Sequence, residues 1–371
     1  MTAVNKRFLQ AGERIRVLVV DDSVVIRRLV TQALEQDPIL EVVGTASNGA
    51  IGMQRIPQLN PDVVTLDIEM PDMDGLEMLR RIRREYPQLR VIMFSTLTEK
   101  GAAKTLEALT LGADDYVAKV SNQGSLDRSM DRLREEMIPK IKQFFCLVKP
   151  TEAADRIKSA LTTMEQAGQP GRPGTQPRKA RPKVVAIGVS TGGPTALGAI
   201  LPMLPVDFAL PILVVQHMPP LFTRLLADRL NATCRLPAGE AVQDSPVEPG
   251  RIVIAPGDFH MKLSSSGGAV RILLDQSPRQ NSCRPAVDAL FGSCAQVYGG
   301  AVLAVVLTGM GQDGLHGVEI LKAQGASVIA QDEASSVVWG MPGAIVNAGL
   351  ADHVVSLDEV VPEILRIAGR D

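Results

Sequence analysis

Aromatic side chains make up only 3% of the 371 residues, whereas Val, Ile, Leu, Ala and Gly are plentiful. That balance speaks against a β-sandwich and suits parallel sheets covered by helices. Neither charge is in excess: 39 Lys and Arg stand against 41 Asp and Glu, a formal net charge of -2. The chain therefore has no general attraction for nucleic acid or anionic lipid. Cysteine is sparse and scattered. Cys146, Cys234, Cys283 and Cys294 include no pair at metal-finger spacing, and no secretory leader would carry them to an oxidising compartment, so reduced thiols are expected. No run approaches the roughly 18 apolar residues that span a bilayer, and the opening MTAVNKRFLQAGER lacks an apolar centre, which points to the cytoplasm.

Two domains are expected, because 371 residues exceed what one hydrophobic core usually supports. Over residues 15–145, IRVLVV, EVVGTA, DVVTLDI, RVIMFS and DDYVAK read as strands, separated by helix-length amphipathic stretches such as SVVIRRLVTQALEQ and GLEMLRRIRREY. Five β/α repeats predict a doubly wound, flavodoxin-like parallel sheet. Residues 146–182 break that rhythm: QAGQPGRPGTQPRKARPK carries closely spaced Pro and Gly and reads as a solvated linker. From 183 to 371 the rhythm returns with KVVAIGVS, PILVVQHM, RIVIAPG, AVLAVVLTG and ASVIAQD, predicting a second doubly wound, mainly parallel α/β domain. AVRILLD is expected to add an antiparallel edge to it.

In the first domain, Asp21 and Asp22 follow one strand and Asp67 ends another. Ligands of doubly wound sheets gather at the carboxyl edge, so the three carboxylates should converge there. Such crowding calls for a hard divalent cation, for which Mg²⁺ is the natural choice. Ser95 and Lys119 arrive at the same edge and add a hydroxyl and an ammonium. A carboxylate between a divalent cation and an ammonium is poised to accept a phosphoryl group, and Asp67 is the expected acceptor. The structural alternatives are a helix cap at Asp22-Ser23 and plain turn chemistry in PDMDG.

These residues and their order resemble a response-regulator receiver domain over about residues 15–140. The resemblance implies Asp67 as phosphoacceptor, Asp21 and Asp22 as the acidic pair, the Glu69 main-chain oxygen as a further Mg²⁺ ligand, Ser95 as switch hydroxyl and Lys119 as the accompanying lysine. Val120 stands where receivers commonly carry proline. That argues against a cis bond, which costs a non-proline residue roughly 2.5 to 4 kcal/mol.

In the second domain, Gly188-Val189-Ser190-Thr191-Gly192 follows an apolar strand and precedes a helical pattern, the setting of a nucleophile elbow. The same stretch could be a dinucleotide loop. His217 and Asp313 end or follow other strands on the same edge, so hydroxyl, imidazole and carboxylate can form an acyl-transfer triad. Taken singly, each has a structural reading: a helix cap for Ser190 and Asp313, a satisfied polar residue for His217. Main-chain N–H groups of Thr191 and Met310 are candidate oxyanion donors. His260, in APGDFH, lies near a turn as cleft wall or structural residue rather than as the base.

Residues 183–371 resemble the catalytic domain of the chemotaxis protein-glutamate methylesterase family through IGVSTGGP, VVQHMPP, FTRLLADRL, APGDFHM, CRPAVDALF and LTGMGQDG. The resemblance implies Ser190, His217 and Asp313 as the triad, Met310 as an oxyanion contributor, and Arg284 with its SCRPAVD neighbours at the substrate cleft. It also implies hydrolysis of γ-glutamyl methyl esters on methyl-accepting chemoreceptors, with glutamine deamidation as a related activity and no cofactor for the ester chemistry. A chemotaxis-type sensor histidine kinase would be the phosphodonor, and a monomer is the simplest state. A linker of about 35 residues suggests regulation by docking, in which the unphosphorylated receiver would cover the esterase cleft and phosphorylation would loosen it; the alternative is a flexible tether with no inhibitory contact. A nucleotide-binding signalling module is opposed by the lack of a P-loop Lys-Ser/Thr pair. A DNA-binding output domain is opposed by the charge balance and the absence of a compact helix-turn-helix.

Overall fold

The computed structural model describes residues 7–10, 12–96, 98–119, 126–147 and 180–369. Val120 and most of the 146–182 linker lie outside the described residues. The described residues fall into two compact units, one within residues 7–94 with 117–119 and 126–147, the other within residues 95–116 with 180–369.

The N-terminal sheet is built from Ile15–Val20 (β2), Leu40–Ala46 (β3), Val63–Asp67 (β4), Arg90–Ser95 (β5) and Asp115–Ala118 (β6), after a short Arg7–Leu9 (β1). Its order is β3-β2-β4-β5-β6, and the described pairings are parallel. The five sequence-predicted strands are thus the five observed ones. β1 lies apart, paired in parallel with Phe145–Leu147 (β7). Helix Val24–Glu35 (α1) buries Leu29, Val30, Ala33 and Leu34, a single stripe at helical spacing. Gly75–Glu85 (α3) likewise buries Leu76, Met78, Leu79 and Ile82. Their starts are fixed by side chains: Ser23 Oγ accepts from the Ile26 N–H, and Asp74 Oδ1 accepts from the Glu77 N–H. Ser23 is therefore a helix cap, as one reading of the sequence had it, without removing Asp21 and Asp22 from the sheet edge. The strand order reverses around β2, whose neighbours are β3 and β4. Such a reversal opens a crevice at the carboxyl ends, where Asp21, Asp22 and Asp67 emerge.

The C-terminal sheet has seven parallel strands: Val184–Val189 (β8), Ile212–Gln216 (β9), Ala238–Glu240 (β10), Ile252–Ile254 (β11), Val302–Val306 (β14), Ser327–Gln331 (β15) and His353–Val355 (β16). The order is β10-β11-β9-β8-β14-β15-β16. β8, β9, β14 and β15 are buried along their whole length, hence near-continuous runs of Val, Ile and Ala in the sequence. Val287–Tyr298 (α8) covers one face, packing Val287, Leu290 and Phe291 into the same cluster as Val184, Val302 and Ala304. AVRILLD departs from its expected place. As Ala269–Asp275 (β13) it is antiparallel, but it pairs with His260–Ser266 (β12) in a separate two-stranded sheet. Both strands expose or half-expose alternate residues, so the hairpin lies on the surface and leaves the main sheet parallel throughout. Around β8 this sheet also reverses direction, with β9 on one side and β14 on the other.

Candidate functional sites

In the N-terminal unit, carboxylate oxygens of Asp21, Asp22 and Asp67 all lie within 4.8 Å of one another. Asp21 and Asp67 are buried and Asp22 is exposed, so the cluster opens on one side. Lys119 Nζ bridges the buried pair, 2.9 Å from Asp21 Oδ2 and 2.7 Å from Asp67 Oδ2. Burial raises the Asp67 carboxyl to about 6, and the Asp21 charge adds to this against the pull of Lys119. Burial opposes the Lys119 charge, but Asp67 and Asp21 outweigh it and hold its affinity for the proton above the ordinary lysine value. One ammonium thus leaves three carboxylates under-compensated. That donor set, all hard oxygen, suits a divalent cation of the Mg²⁺ kind. Glu69 is exposed two residues beyond Asp67. Gly75 lets the backbone close over the site, since a Cβ there would meet the Asp67 carbonyl oxygen at 2.1 Å. Ser95 ends β5, one residue after Phe94, the register partner of Asp67. Its buried hydroxyl lies 2.7 Å from Thr105 Oγ1 and 3.2 Å from the Gly101 carbonyl.

The C-terminal site is assembled by three adjacent strands. Ser190 follows β8 directly; Thr191 and Gly192 form the turn, and helix Gly193–Ile200 (α6) begins at the next residue. Gly192 has φ +80°, a conformation that disfavours a side chain. The turn is held from below: the Ser190 N–H donates to the Thr308 carbonyl at 3.0 Å, and Thr308 Oγ1 donates to the Thr191 carbonyl at 2.9 Å. Gln216 Nε2 donates to the Ser190 carbonyl at 2.9 Å, tying the ends of β8 and β9 together. Val189 and Gln216 are register partners, so Ser190 and His217 stand side by side with Cα atoms about 5 Å apart. Gly309 lets the loop after Val302–Val306 close against Ser190, because a Cβ there would meet Ser190 Cβ at 2.7 Å.

His217 Nε2 lies 2.8 Å from Asp313 Oδ2. Asp313 is buried, and its carboxylate collects further donors from the Val287 N–H at 2.7 Å, Gly314 N–H at 3.0 Å, Asp288 N–H at 3.1 Å and Asn281 Nδ2 at 2.9 Å. Two of these N–H groups belong to the first turn of α8, whose N-cap residue Ala286 has no side chain able to cap it. Asp313 caps α8 from across the domain, not the helix that follows it in sequence. Burial disfavours the Asp313 charge, yet His217 and the N–H donors hold its carboxyl below the ordinary value. Burial also disfavours the His217 imidazolium, but Asp313 and then Cys283 outweigh it and push the ring up to about 9. Cys283 Sγ sits 3.5 Å from His217 Nδ1. Among the described residues, no hydrogen bond joins Ser190 Oγ to His217. Such contacts commonly tighten only when substrate is bound.

Around this centre, Met310 is 41% exposed between two glycines, and its N–H meets no acceptor among the described residues. Thr191 is buried at the turn. Arg284 is committed to Asp258, donating from Nε at 3.0 Å and Nη2 at 2.6 Å. His260 has no exposed surface; Nδ1 accepts from the Ala286 N–H at 3.2 Å and Nε2 faces the Pro278 carbonyl at 3.1 Å. Of the roles the sequence leaves to His260, the structural one fits. Sequence reasoning singled out neither Asn281 nor Thr308 for the site, and it placed Cys283 and Asp288 only as SCRPAVD neighbours of Arg284 at the cleft, not beside the triad. Asn281 Nδ2 bridges Asp313 Oδ1 and Asp288 Oδ2, at 2.9 and 2.8 Å. Its signal was weak: Asn281 and Ser282 both take positive φ (49° and 64°), a two-residue turn usually announced by Asn-Gly.

Comparison with known proteins agrees with both halves. Residues 185–364 match the CheB methylesterase family and residues 17–131 the response regulator receiver domain. A protein-glutamate methylesterase/protein-glutamine glutaminase of Trichodesmium erythraeum is 49% identical over 96% of this chain and 99% of its own length. One from a Nocardioides species is 50% identical over 96% of each chain. The crystal structure of the Thermotoga maritima CheB methylesterase catalytic domain is 44% identical, with a TM-score of 0.50, and covers 51% of this chain and 100% of that one.

Proposed function

Because this chain belongs to the CheB methylesterase family and carries a receiver domain, we propose that it hydrolyses glutamate γ-methyl esters on methyl-accepting chemoreceptors. The products are methanol and the glutamate carboxylate; glutamine side chains at such positions would release ammonia instead. The observation that carries this reading is the placement of Ser190, His217 and Asp313 beyond three neighbouring strands, with His217 and Asp313 2.8 Å apart.

In the proposed mechanism, His217 Nδ1 takes the Ser190 proton while Asp313 keeps Nε2 protonated and the ring oriented. The Ser190 oxygen attacks the ester carbonyl. The resulting oxyanion is met by main-chain N–H groups, of which Met310 and Thr191 are the candidates. His217 then gives its proton to the departing methoxide, and water, activated by the same imidazole, resolves the acyl-enzyme. Arg284 would border the cleft as a brace paired with Asp258.

Asp67 is the proposed phosphoacceptor, with a chemotaxis-type histidine kinase as donor and the resulting phosphoryl group regulating the esterase. Asp21, Asp22 and Asp67 would hold Mg²⁺, Glu69 supplying a main-chain oxygen, and the ion when bound supplies positive charge toward the phosphoryl oxygens. Lys119 supplies a second positive charge, and Ser95 is the proposed hydroxyl that senses the phosphoryl group.

Methanol release from methylated receptor membranes tests the assignment. Ser190→Ala should reduce the rate by roughly 10³-fold or more; a rate equal to wild type would remove Ser190 as nucleophile.

A further inference from the structure

His217 has two ring nitrogens, and one is committed. Nε2 faces Asp313 Oδ2 at 2.8 Å, so only Nδ1 can receive a proton from Ser190. Cys283 Sγ lies 3.5 Å from that same nitrogen, within hydrogen-bond reach for sulfur. Resting on the serine-hydrolase reading above, we propose that Cys283 is a positioning residue for the base. It holds the Nδ1 edge of His217 and favours the imidazolium over the free imidazole, thereby setting the pH at which Ser190 becomes active.

The thiol is delivered by a built turn. Gln280 and Cys283 exchange main-chain hydrogen bonds at 3.1 and 2.8 Å, closing a two-residue loop over Asn281 and Ser282. Asn281 anchors this loop to Asp313, so a single turn grips the acid of the triad with one side chain and the base with another. Cys283 is half-buried.

The direction of the effect follows from donor and acceptor roles. An imidazolium donates from both nitrogens, to Asp313 from Nε2 and to sulfur from Nδ1. A neutral ring able to deprotonate Ser190 must turn a lone pair at Nδ1 toward the serine. Sulfur accepting from Nδ1–H therefore stabilises the resting, protonated state, whereas an S–H donated to Nδ1 would stabilise the free imidazole, so a His217 midpoint that rises in Cys283→Ala overturns the proposal. The titratable groups facing the ring are Asp313, on the loop after β14, and Cys283. Asp288, on α8, is one amide further away through Asn281. Arg284, next in sequence, is turned to Asp258. Burial opposes the imidazolium, and the contacts with Asp313 and Cys283 push the ring up to about 9.

The test uses the full-length protein with Cys283→Ala and Cys283→Ser. Histidine ring resonances are titrated by NMR, with His217 identified among the four histidines by its loss in His217→Gln. The pH dependence of kcat/KM for methanol release is recorded in parallel. In Cys283→Ala, both the His217 midpoint and the rise of kcat/KM should move to lower pH by about one unit. Cys283→Ser, which returns a hydrogen-bonding atom to Nδ1, should recover part of the shift. An unmoved His217 midpoint in both variants overturns the proposal. So does a moved midpoint with an unchanged rate profile, since the thiol would then not act through the base. If no variant or wild type releases methanol, the esterase reading fails, and the NMR titration alone decides whether Cys283 holds His217.

Discussion

Asp67, at the end of β4, and Asp313, on the loop after β14, each belong to a strand beside the point where strand order reverses, yet their environments push them in opposite directions. Burial raises the Asp67 carboxyl to about 6, while Asp313, equally buried, is held below the ordinary carboxyl value. The difference lies in the donors. Asp313 collects three main-chain N–H groups, an amide and an imidazole. Asp67 accepts a single main-chain N–H, from Ile68, shares one ammonium with Asp21 and has Asp22 close by. A carboxylate saturated with donors is a fixed structural charge, suited to orienting a base. One left short of donors has lone pairs available for a cation or a phosphorus atom.

Replacing each carboxylate by its amide should affect the two sites in opposite ways. Asp67→Asn should abolish phosphoryl incorporation from an acyl phosphate, since no nucleophilic oxygen remains; retained labelling would place the acceptor elsewhere. The same change should stabilise the chelator-treated protein. A carboxyl whose native pKa is raised costs stability as pH climbs from about 4 to about 6, and the cost is complete above that range. Wild type should therefore lose stability through that window relative to the variant, by an amount on the order of 1–3 kcal/mol. Asp313→Asn should act the other way. An amide nitrogen cannot satisfy the N–H groups that point at it, so stability falls by about 1–3 kcal/mol. The ring loses its charged partner, and kcat should drop by about 10³- to 10⁴-fold. A drop below tenfold would mean that Asp313 is a helix cap and nothing more.

Much of both sites was legible in the sequence because parallel α/β sheets convert strand ends into spatial neighbours. Asp21, Asp67, Ser190 and His217 each directly end or follow an apolar run, so counting runs was enough to place them on a common edge. Strand order was not needed. The hairpin β12–β13 was misplaced because period-two alternation reports a strand and one wet face, not which sheet it joins. Asn281 was invisible, and Cys283 was legible only as a cleft neighbour of Arg284 and not as a partner of the base, for a different reason. They sit in a non-periodic stretch between β13 and α8, and their roles depend on a turn whose left-handed residues are Asn and Ser rather than the expected Asn-Gly. Asp313 itself was legible as a strand-end acid, but its capping of α8 joins residues 25 or more apart and leaves no local pattern.

Asn281 offers the finest test of why Asp313 and Asp67 differ. Its Nδ2 group stands between two carboxylates, Asp313 and Asp288. Burial already raises Asp288, the Asp313 charge adds to that, and the Gly317 N–H and Asn281 restrain it. Removing the amide would leave the two oxygens facing each other, a step toward the crowding seen around Asp67. Alanine is a poor probe, because residue 281 has φ +49° and a left-handed alanine costs roughly 1–2 kcal/mol by itself. Glycine tolerates that conformation and removes only the amide. Asn281→Gly should lower kcat about tenfold, the equivalent of one hydrogen bond to a charged group, with KM little changed because the amide touches the acid and not the substrate. A pH titration should show Asp288 rising further and His217 rising slightly, because Asp313 with one donor fewer is a stronger acceptor for the ring. Asn281→Gln, whose longer side chain cannot reach both oxygens from the same turn, should lose at least as much kcat as glycine, with the left-handed strain showing as an added loss of stability. Full activity in both variants would show that three main-chain N–H groups and an imidazole suffice to fix Asp313, and that the contrast with Asp67 rests on backbone donors alone.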